Sequence, residues 1–331
     1  MGEALEIVKV IVSPTVKLMD MIGSAIGTVY EPRHRRKMAD TIAYEISVIG
    51  DAMRNAADMP ILYNKDGIVI NSEDFNRLMQ RAGTRLALQE TTKQHNIERV
   101  VDNAYEILEN EESCSQEPVE QGWINRFFDS VADVSDEDLQ ALWGKVLAGE
   151  IKQPKSYSLR TLETLKNLSK YEAELFRKAS SLVTGFGTDL FFSSKTEILR
   201  KHGIMFDDIM LLDECGLLNS DSMVSLNPSL SIDKSMPIFN KSKVMLLSGT
   251  TPDIKKISFG IFGLTRAGAE LYSILDCEPN DNYLCDWAEE IEKKNKGYVT
   301  ITIHQFSTAD NTGVEYDDEI LYEFPPKIQK E

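Results

Sequence analysis

A chain of 331 residues, 42 per cent hydrophobic and 27 per cent charged, has the apolar mass for about two or three cores and the composition of a soluble globular protein. Its formal net charge of −17 repels polyanions, which disfavours nucleic acid as a partner except at a local basic patch. The four cysteines (Cys114, Cys215, Cys277, Cys285) and four histidines are scattered without metal-ligand spacing, so no metal or cofactor is expected and the unpaired thiols fit a reducing cytoplasm.

The opening MGEALEIVKV lacks the basic start and continuous apolar core of a signal peptide, and Lys9, Pro14, Lys17 and Asp20 interrupt the longest apolar stretch, so no membrane-spanning helix is expected. Ser13-Pro14 reads as a helix start, with serine as N-cap and proline at the first helical position. Leu18, Ile22, Ala25, Ile26 and Val29 then share a broad apolar face, and the basic knot Arg33, His34, Arg35, Arg36 and Lys37 follows. That combination has the form of a membrane-surface anchor, in which Arg33, Arg35, Arg36 and Lys37 would contact anionic lipid or another anion. The alternative is a helix packed in a hairpin or oligomer, with the basic residues in a solvated turn.

A second helix is expected from Met38 through Ile42, Ile46, Ile49 and Met53. ILYNKDGIVI suggests a small hairpin around Lys65-Asp66-Gly67. Asn71 or Ser72 can cap a long helix that keeps phase from Phe75 to Leu108, with Gly83 and the polar run QETTKQHN as places where it could bend. Such length favours an extended helical hairpin or self-association. Residues 1–109 therefore read as a long-helix region, and the acidic, aperiodic stretch 110–121 as a linker.

Residues 122–190 read as a central three-helix bundle. Ser135 and Asp138 have capping-box spacing, Leu139, Leu142, Trp143, Val146 and Leu147 form one stripe, and Gly149 is expected to end that helix. Ser158 can cap a second helix carrying Leu159, Leu162, Leu165 and Leu168, and Ser169 with Glu172 a third carrying Ala173, Phe176, Ala179 and Val183. On such stripes Trp143 reads as a core aromatic, and Arg160 as a surface or loop-bracing charge.

Residues 191–331 change character. A short helix with Ile198 and Leu199 ends at Gly203, and a second with Ile209, Leu212 and Cys215 ends at Gly216. Short strand-like runs at 223–226, 244–247 and 257–262 precede a helix capped by Thr265, an order that suggests a winged-helix-like module. Its second helix, FDDIMLLDECG, has four acids and no base, which opposes DNA readout, although Lys195, Arg200, Lys201 and His202 precede it. An amphipathic helix (Leu284, Trp287, Ala288, Ile291) leads to the alternating strand YVTITIHQF, with which ILYEF is expected to pair. His304 falls on the polar face of that strand and reads as solvated.

VSDEDLQALWGKVLAGE, PKSYSLRTLETLKNLS, GLTRAGAELYSIL and SAIGTVYEPRHRRKMA together resemble a bacterial family catalogued as domain of unknown function twenty-eight-oh-six, over most of the chain. The resemblance brings no catalytic residues with it. More loosely, the layout is similar to abortive-infection alpha proteins, a group associated with phage defence.

No phosphate loop, dinucleotide fingerprint, zinc-protease or nucleophile-elbow motif is present, and the carboxylate clusters Asp136–Asp138, Asp207–Asp208 and Asp317–Glu319 read as helix-start or loop charges. The sequence thus points to a mainly α protein with a smaller α+β, winged-helix-like part, and to a non-enzyme. Its leading role is intracellular interaction or scaffolding in stress or phage defence, with a protein partner or self-association. The alternatives are a peripheral membrane effector at the inner face of the membrane, using residues 14–30, and a DNA-binding regulator.

Overall fold

Amphipathic helices make up most of the described part of the first unit. The structure, a computed structural model, describes residues 13–26, 62–64, 67–69, 73–221, 224–309 and 313–325. Among these, ten helices and thirteen strands make a mixed α/β protein, about 49% helical and 23% strand. Two units divide between Leu162 and Glu163.

In the first unit, α1 (Pro14–Ile26) starts where Ser13 and Pro14 predict, with the Lys17 N–H donating to the Ser13 carbonyl at 3.1 Å. Leu18, Met21 and Ile22 are buried, so this part of the apolar face of α1 is packed. The expected helix from Met38, and the knot Arg33, Arg35, Arg36 and Lys37, lie outside the described residues. Strands β1 (Leu62–Asn64) and β2 (Gly67–Val69) pair antiparallel with Asn64 opposite Gly67, the hairpin expected there.

Helix α2 (Glu73–Leu108) runs for 36 residues without a break, about 54 Å at the usual rise. The polar stretch does not end it, and Thr84, Thr91 and Thr92 return their hydroxyls to carbonyls one turn back, at 2.9, 2.8 and 2.9 Å. Its C-terminal half buries Ile97, Val100, Val101, Ala104 and Leu108, while Leu78, Leu86 and Leu88 stay exposed.

Helices α3 (Gln121–Val131) and α4 (Glu137–Lys152) complete this core. Trp143 is buried, edge-on to Phe127 at 5.3 Å, and Phe127 stacks on Trp123 at 5.1 Å. Two expectations for α4 are corrected. Its N-cap is Asp136, not Ser135: one carboxylate oxygen accepts the N–H groups of Asp138 and Leu139 at 3.1 and 3.2 Å, a charged acceptor at the positive end of the helix. Gly149 lies inside the helix rather than ending it. A Cβ there would stand 2.6 Å from the Tyr157 hydroxyl, so this glycine permits a close approach.

Stretch 110–121 has no regular structure up to α3, yet it is tied down. The Ser115 N–H donates to the Lys152 carbonyl at 3.0 Å, and the Lys17 ammonium donates to the carbonyls of Ser115, Glu117 and Ile151 at 2.9, 2.7 and 2.9 Å. Lys17 thereby satisfies a carbonyl at the C-terminus of α4, where a cation also complements the dipole.

Helix α5 (Leu159–Asn167) contains the division between units, and the Thr161 N–H donates to Ser158 Oγ at its start. In the second unit α6 (Lys170–Ser180) has the full Ser169–Glu172 capping box. Then come β3 (Thr184–Phe186), β4 (Asp189–Ser193), α7 (Thr196–Lys201), α8 (Phe206–Glu214), β5 (Leu218–Asn219), β6 (Ser225–Leu226), β7 (Ser229–Leu230), β8 (Ser235–Phe239), β9 (Lys243–Gly249), β10 (Lys255–Lys256), β11 (Phe259–Leu264), α9 (Arg266–Tyr272), α10 (Asp281–Lys294), β12 (Val299–Ala309) and β13 (Val314–Phe324). Nine of the strands form one antiparallel sheet in the order β13-β12-β9-β8-β3-β4-β11-β5, with β6 also on β11. The expected pairing of ILYEF with YVTITIHQF is present, Ile303 lying opposite Tyr322 and Ile301 opposite Phe324.

The crossing of α2 and α4 depends on Gly144, where a Cβ would lie 2.5 Å from Asn103 Cβ and 3.2 Å from the Ala104 nitrogen. Gly144→Ala is therefore expected to lower stability by about 1–3 kcal/mol in urea denaturation, with native helicity retained in far-UV circular dichroism. A variant as stable as the parent would mean that the two helices can separate at no cost.

Candidate functional site

Left-handed glycines close two short helices of the second unit: Gly203 after α7 with φ 79° and Gly216 after α8 with φ 73°. Helix α8 buries Ile209 and Leu212, and α6 packs against it. Its other face is open. Met205, Phe206 and Met210 are 52%, 58% and 45% exposed, so three large apolar side chains meet water along one stripe.

Acids surround them. Asp208 accepts the Met205 N–H at 2.8 Å and caps the helix, Asp213 accepts the Ser220 hydroxyl at 2.7 Å, and Asp207 and Glu214 are exposed. The helix has no Lys or Arg. An apolar stripe rimmed with carboxylates suits a protein surface with an apolar centre and a cationic rim. It offers nothing to a phosphate.

A histidine staple fixes the end of α7 against α10. Asn280 Nδ2 donates to His202 Nδ1 at 3.2 Å, His202 Nε2 donates to Asp286 at 2.8 Å, and Lys201 donates to the other Asp286 oxygen at 2.7 Å. The imidazole also stands edge-on to Tyr283 at 5.6 Å. Desolvation pushes the Asp286 carboxyl up, but the hydrogen bonds from Lys201 and His202 and the Lys201 charge outweigh it and hold the group below the usual carboxylate range. Both ring nitrogens are committed, and the Tyr283 hydroxyl accepts the Ser193 N–H at 2.7 Å, so the pair acts as a cross-link between α7 and α10.

The thiols of this unit are not poised nucleophiles. Burial, then Glu172, pushes Cys215 up to about 11, and burial likewise raises Cys277 and Cys285. No group of three His, Cys, Asp or Glu side chains among the described residues is placed to hold a metal ion. Of the carboxylate clusters, Asp136 and Asp208 are helix caps, and the Asp317 carbonyl accepts from a histidine.

That histidine is His304, and its expected solvation is corrected. It is buried, with Nδ1 and the Asp317 carbonyl 2.9 Å apart and Nε2 2.9 Å from Thr302 Oγ1, and its ring lies 5.0 Å from Tyr316. A register shift beside it in the β12–β13 pairing brings β13 over the ring.

Basic charge gathers elsewhere. Lys234, Lys255 and Lys256 are exposed on the segment from β7 to β10, next to the exposed Ile232 and Ile254. The Lys255 ammonium stands 3.8 Å over the Tyr298 ring, and Thr250 bonds to the carbonyls of Gly297 and Tyr298, which joins this segment to the turn carrying Lys294 and Lys296. Arg33, Arg35, Arg36 and Lys37 lie outside the described residues, and Arg160 is exposed. In the first unit an open cleft of about 570 Å³ between α2 and α3 is lined by Glu90, Lys93, Gln94, Asn125, Asp129 and Asp133 among others.

The fold and this surface define a mixed α/β protein whose exposed apolar stripe lies on a short helix of an antiparallel sheet domain. The family described as "Protein of unknown function (DUF2806)" matches residues 80–287, and the chain belongs to it. No curated protein and no solved structure matches the chain. No helix among the described residues is long and apolar enough to cross a membrane.

The staple has a pH signature. Because the Asp286 carboxyl is depressed in the folded state, its contribution is present above the unfolded carboxylate pKa and is lost as pH falls through the folded value. Thermal melts should therefore show the native chain more stable than Asp286→Asn at neutral pH, with the gap closing below about pH 4. A pH-independent gap would show that the carboxylate charge is not what stabilises the staple.

Proposed function

We propose that residues 170–272 form a winged-helix-like module that has been turned from nucleic acid to protein contact. Strand β4 precedes the helix pair α7–α8, β5 follows it, β11 comes last, and the antiparallel order is β4-β11-β5. That order, with the last strand in the middle, is the one winged-helix modules use, and residues 220–258 would be an enlarged wing. Helix α8 then occupies the recognition position. The observation that carries the reading is its surface: Met205, Phe206 and Met210 exposed among acids, with no cation.

We place the protein among intracellular bacterial interaction or scaffold proteins, with a role in stress or phage defence. The looser likeness in layout to abortive-infection alpha proteins supports that setting. A DNA-binding regulator is a second reading, favoured by the lysines of the wing: Lys234, Lys255 and Lys256 could follow a phosphate backbone without α8 reading bases. A peripheral membrane effector would require α1 to withdraw Leu18 and Ile22 from the core in which they are buried.

The readings separate in one set of titrations. With labelled duplex at about 50 mM salt, the protein-contact reading predicts no saturable binding, and flotation with anionic vesicles should leave the protein at the bottom of the gradient. Met205→Ser with Met210→Ser should leave the melting temperature unchanged, because exposed side chains away from the core contribute within about 0.5 kcal/mol. Submicromolar duplex binding abolished by Lys255→Glu with Lys256→Glu would replace this reading with the second one.

A further inference from the structure

Strand β13 ends the nine-stranded sheet, and no described strand pairs with its outer edge. It is 11 residues long, about 36 Å, and residues 315–322 are all exposed. A strand that covers a core alternates buried and open residues, whereas β13 is open on both faces. Ile320 and Tyr322 are 45% and 48% exposed, and Tyr316 and Leu321 are exposed beside them. An edge of this length and apolarity is a template for another strand.

The charge on the edge selects what can bind. VEYDDEILYEF contains Glu315, Asp317, Asp318, Glu319 and Glu323 and no base. Pairing with a second copy, antiparallel about Glu319, would place Glu315 opposite Glu323 and Glu319 opposite itself. Like charges directly opposite are destabilising. The same acids favour a strand with Lys or Arg at the facing positions, since opposite charges across a ladder are stabilising.

We propose that β13 is a docking edge for an extended, basic segment of a partner protein, which adds a strand to the sheet. Backbone hydrogen bonds would hold the strand, Ile320 and Tyr322 would contact its apolar side chains, and Glu315, Asp317, Asp318 and Glu319 would select its cations. This does not rest on the winged-helix reading or on the surface of α8.

The test uses the full chain and a fluorescent peptide of alternating Lys and Val, about ten residues long to match the strand. Two controls have alternating Glu and Val, and the same Lys and Val in two blocks. The alternating cationic peptide should bind at least about tenfold more tightly than either control, since several cross-strand pairs act together. Glu315→Gln/Asp317→Asn/Asp318→Asn/Glu319→Gln should lose about that factor with an unchanged melting temperature, and hydrogen exchange should show protection of amides in 314–324 on binding. Equal binding of the blocked peptide, or binding without amide protection, would reduce the effect to general electrostatics and overturn the proposal. So would a dimer in sedimentation that the neutralised variant strengthens, because the edge would then take a second copy.

Discussion

One aromatic cluster ties the second unit together. Trp287 of α10 is buried edge-on to Phe191 of β4 at 6.2 Å and to Phe259 of β11 at 5.7 Å, and stacks on Tyr283 at 6.0 Å. Tyr283 in turn accepts the Ser193 N–H and supports the His202 ring. A single helix therefore holds the strand before the α7–α8 pair, the strand that closes the module, and the end of α7. Truncating a buried aromatic of this size to alanine costs about 3–5 kcal/mol, a large part of a domain's net stability, so the elements that flank α8 depend on residues far from its exposed stripe.

The sequence made the helices legible because their signals are local. Ser169 with Glu172, Ser158, Thr265, Gly203 and Gly216 all act where spacing places them, since a cap or a left-handed glycine needs only its own turn. Gly149 and Ser135 misled for the complementary reason. The close approach of Tyr157 to Gly149, and the better acceptor at Asp136, depend on neighbours that spacing does not reveal. Helix α3 also has a local signal, since Trp123, Phe127, Phe128 and Val131 lie at helical spacing. The β3–β4 hairpin has none, because its strands are short and their partners β8 and β11 lie far along the chain. His304 shows the same limit: alternation placed it on the polar face, and the register shift that buries it belongs to the pairing of two strands.

The candidate site was partly visible. The acids of FDDIMLLDE are in the sequence, and so is the argument against base readout that they support. That Met205, Phe206 and Met210 line up on the open side of the helix follows only from how Ile209 and Leu212 face inward. The distribution of the −17 charge also emerges only in the fold. Acids collect on α8 and β13, whereas lysines collect on the segment between β7 and β10. A chain charged in this way repels polyanions broadly, and the contacts proposed at α8 and β13 would each select a cationic protein surface.

The measurement that tests the central claim most directly is site-specific photo-crosslinking from position 206 in living cells. The account predicts a discrete adduct with one protein, reproduced when that protein and this chain are purified and mixed, and lost in Met205→Ser with Met210→Ser. A probe at position 206 that crosslinks to DNA, or to no protein while a probe on the wing does, would contradict it.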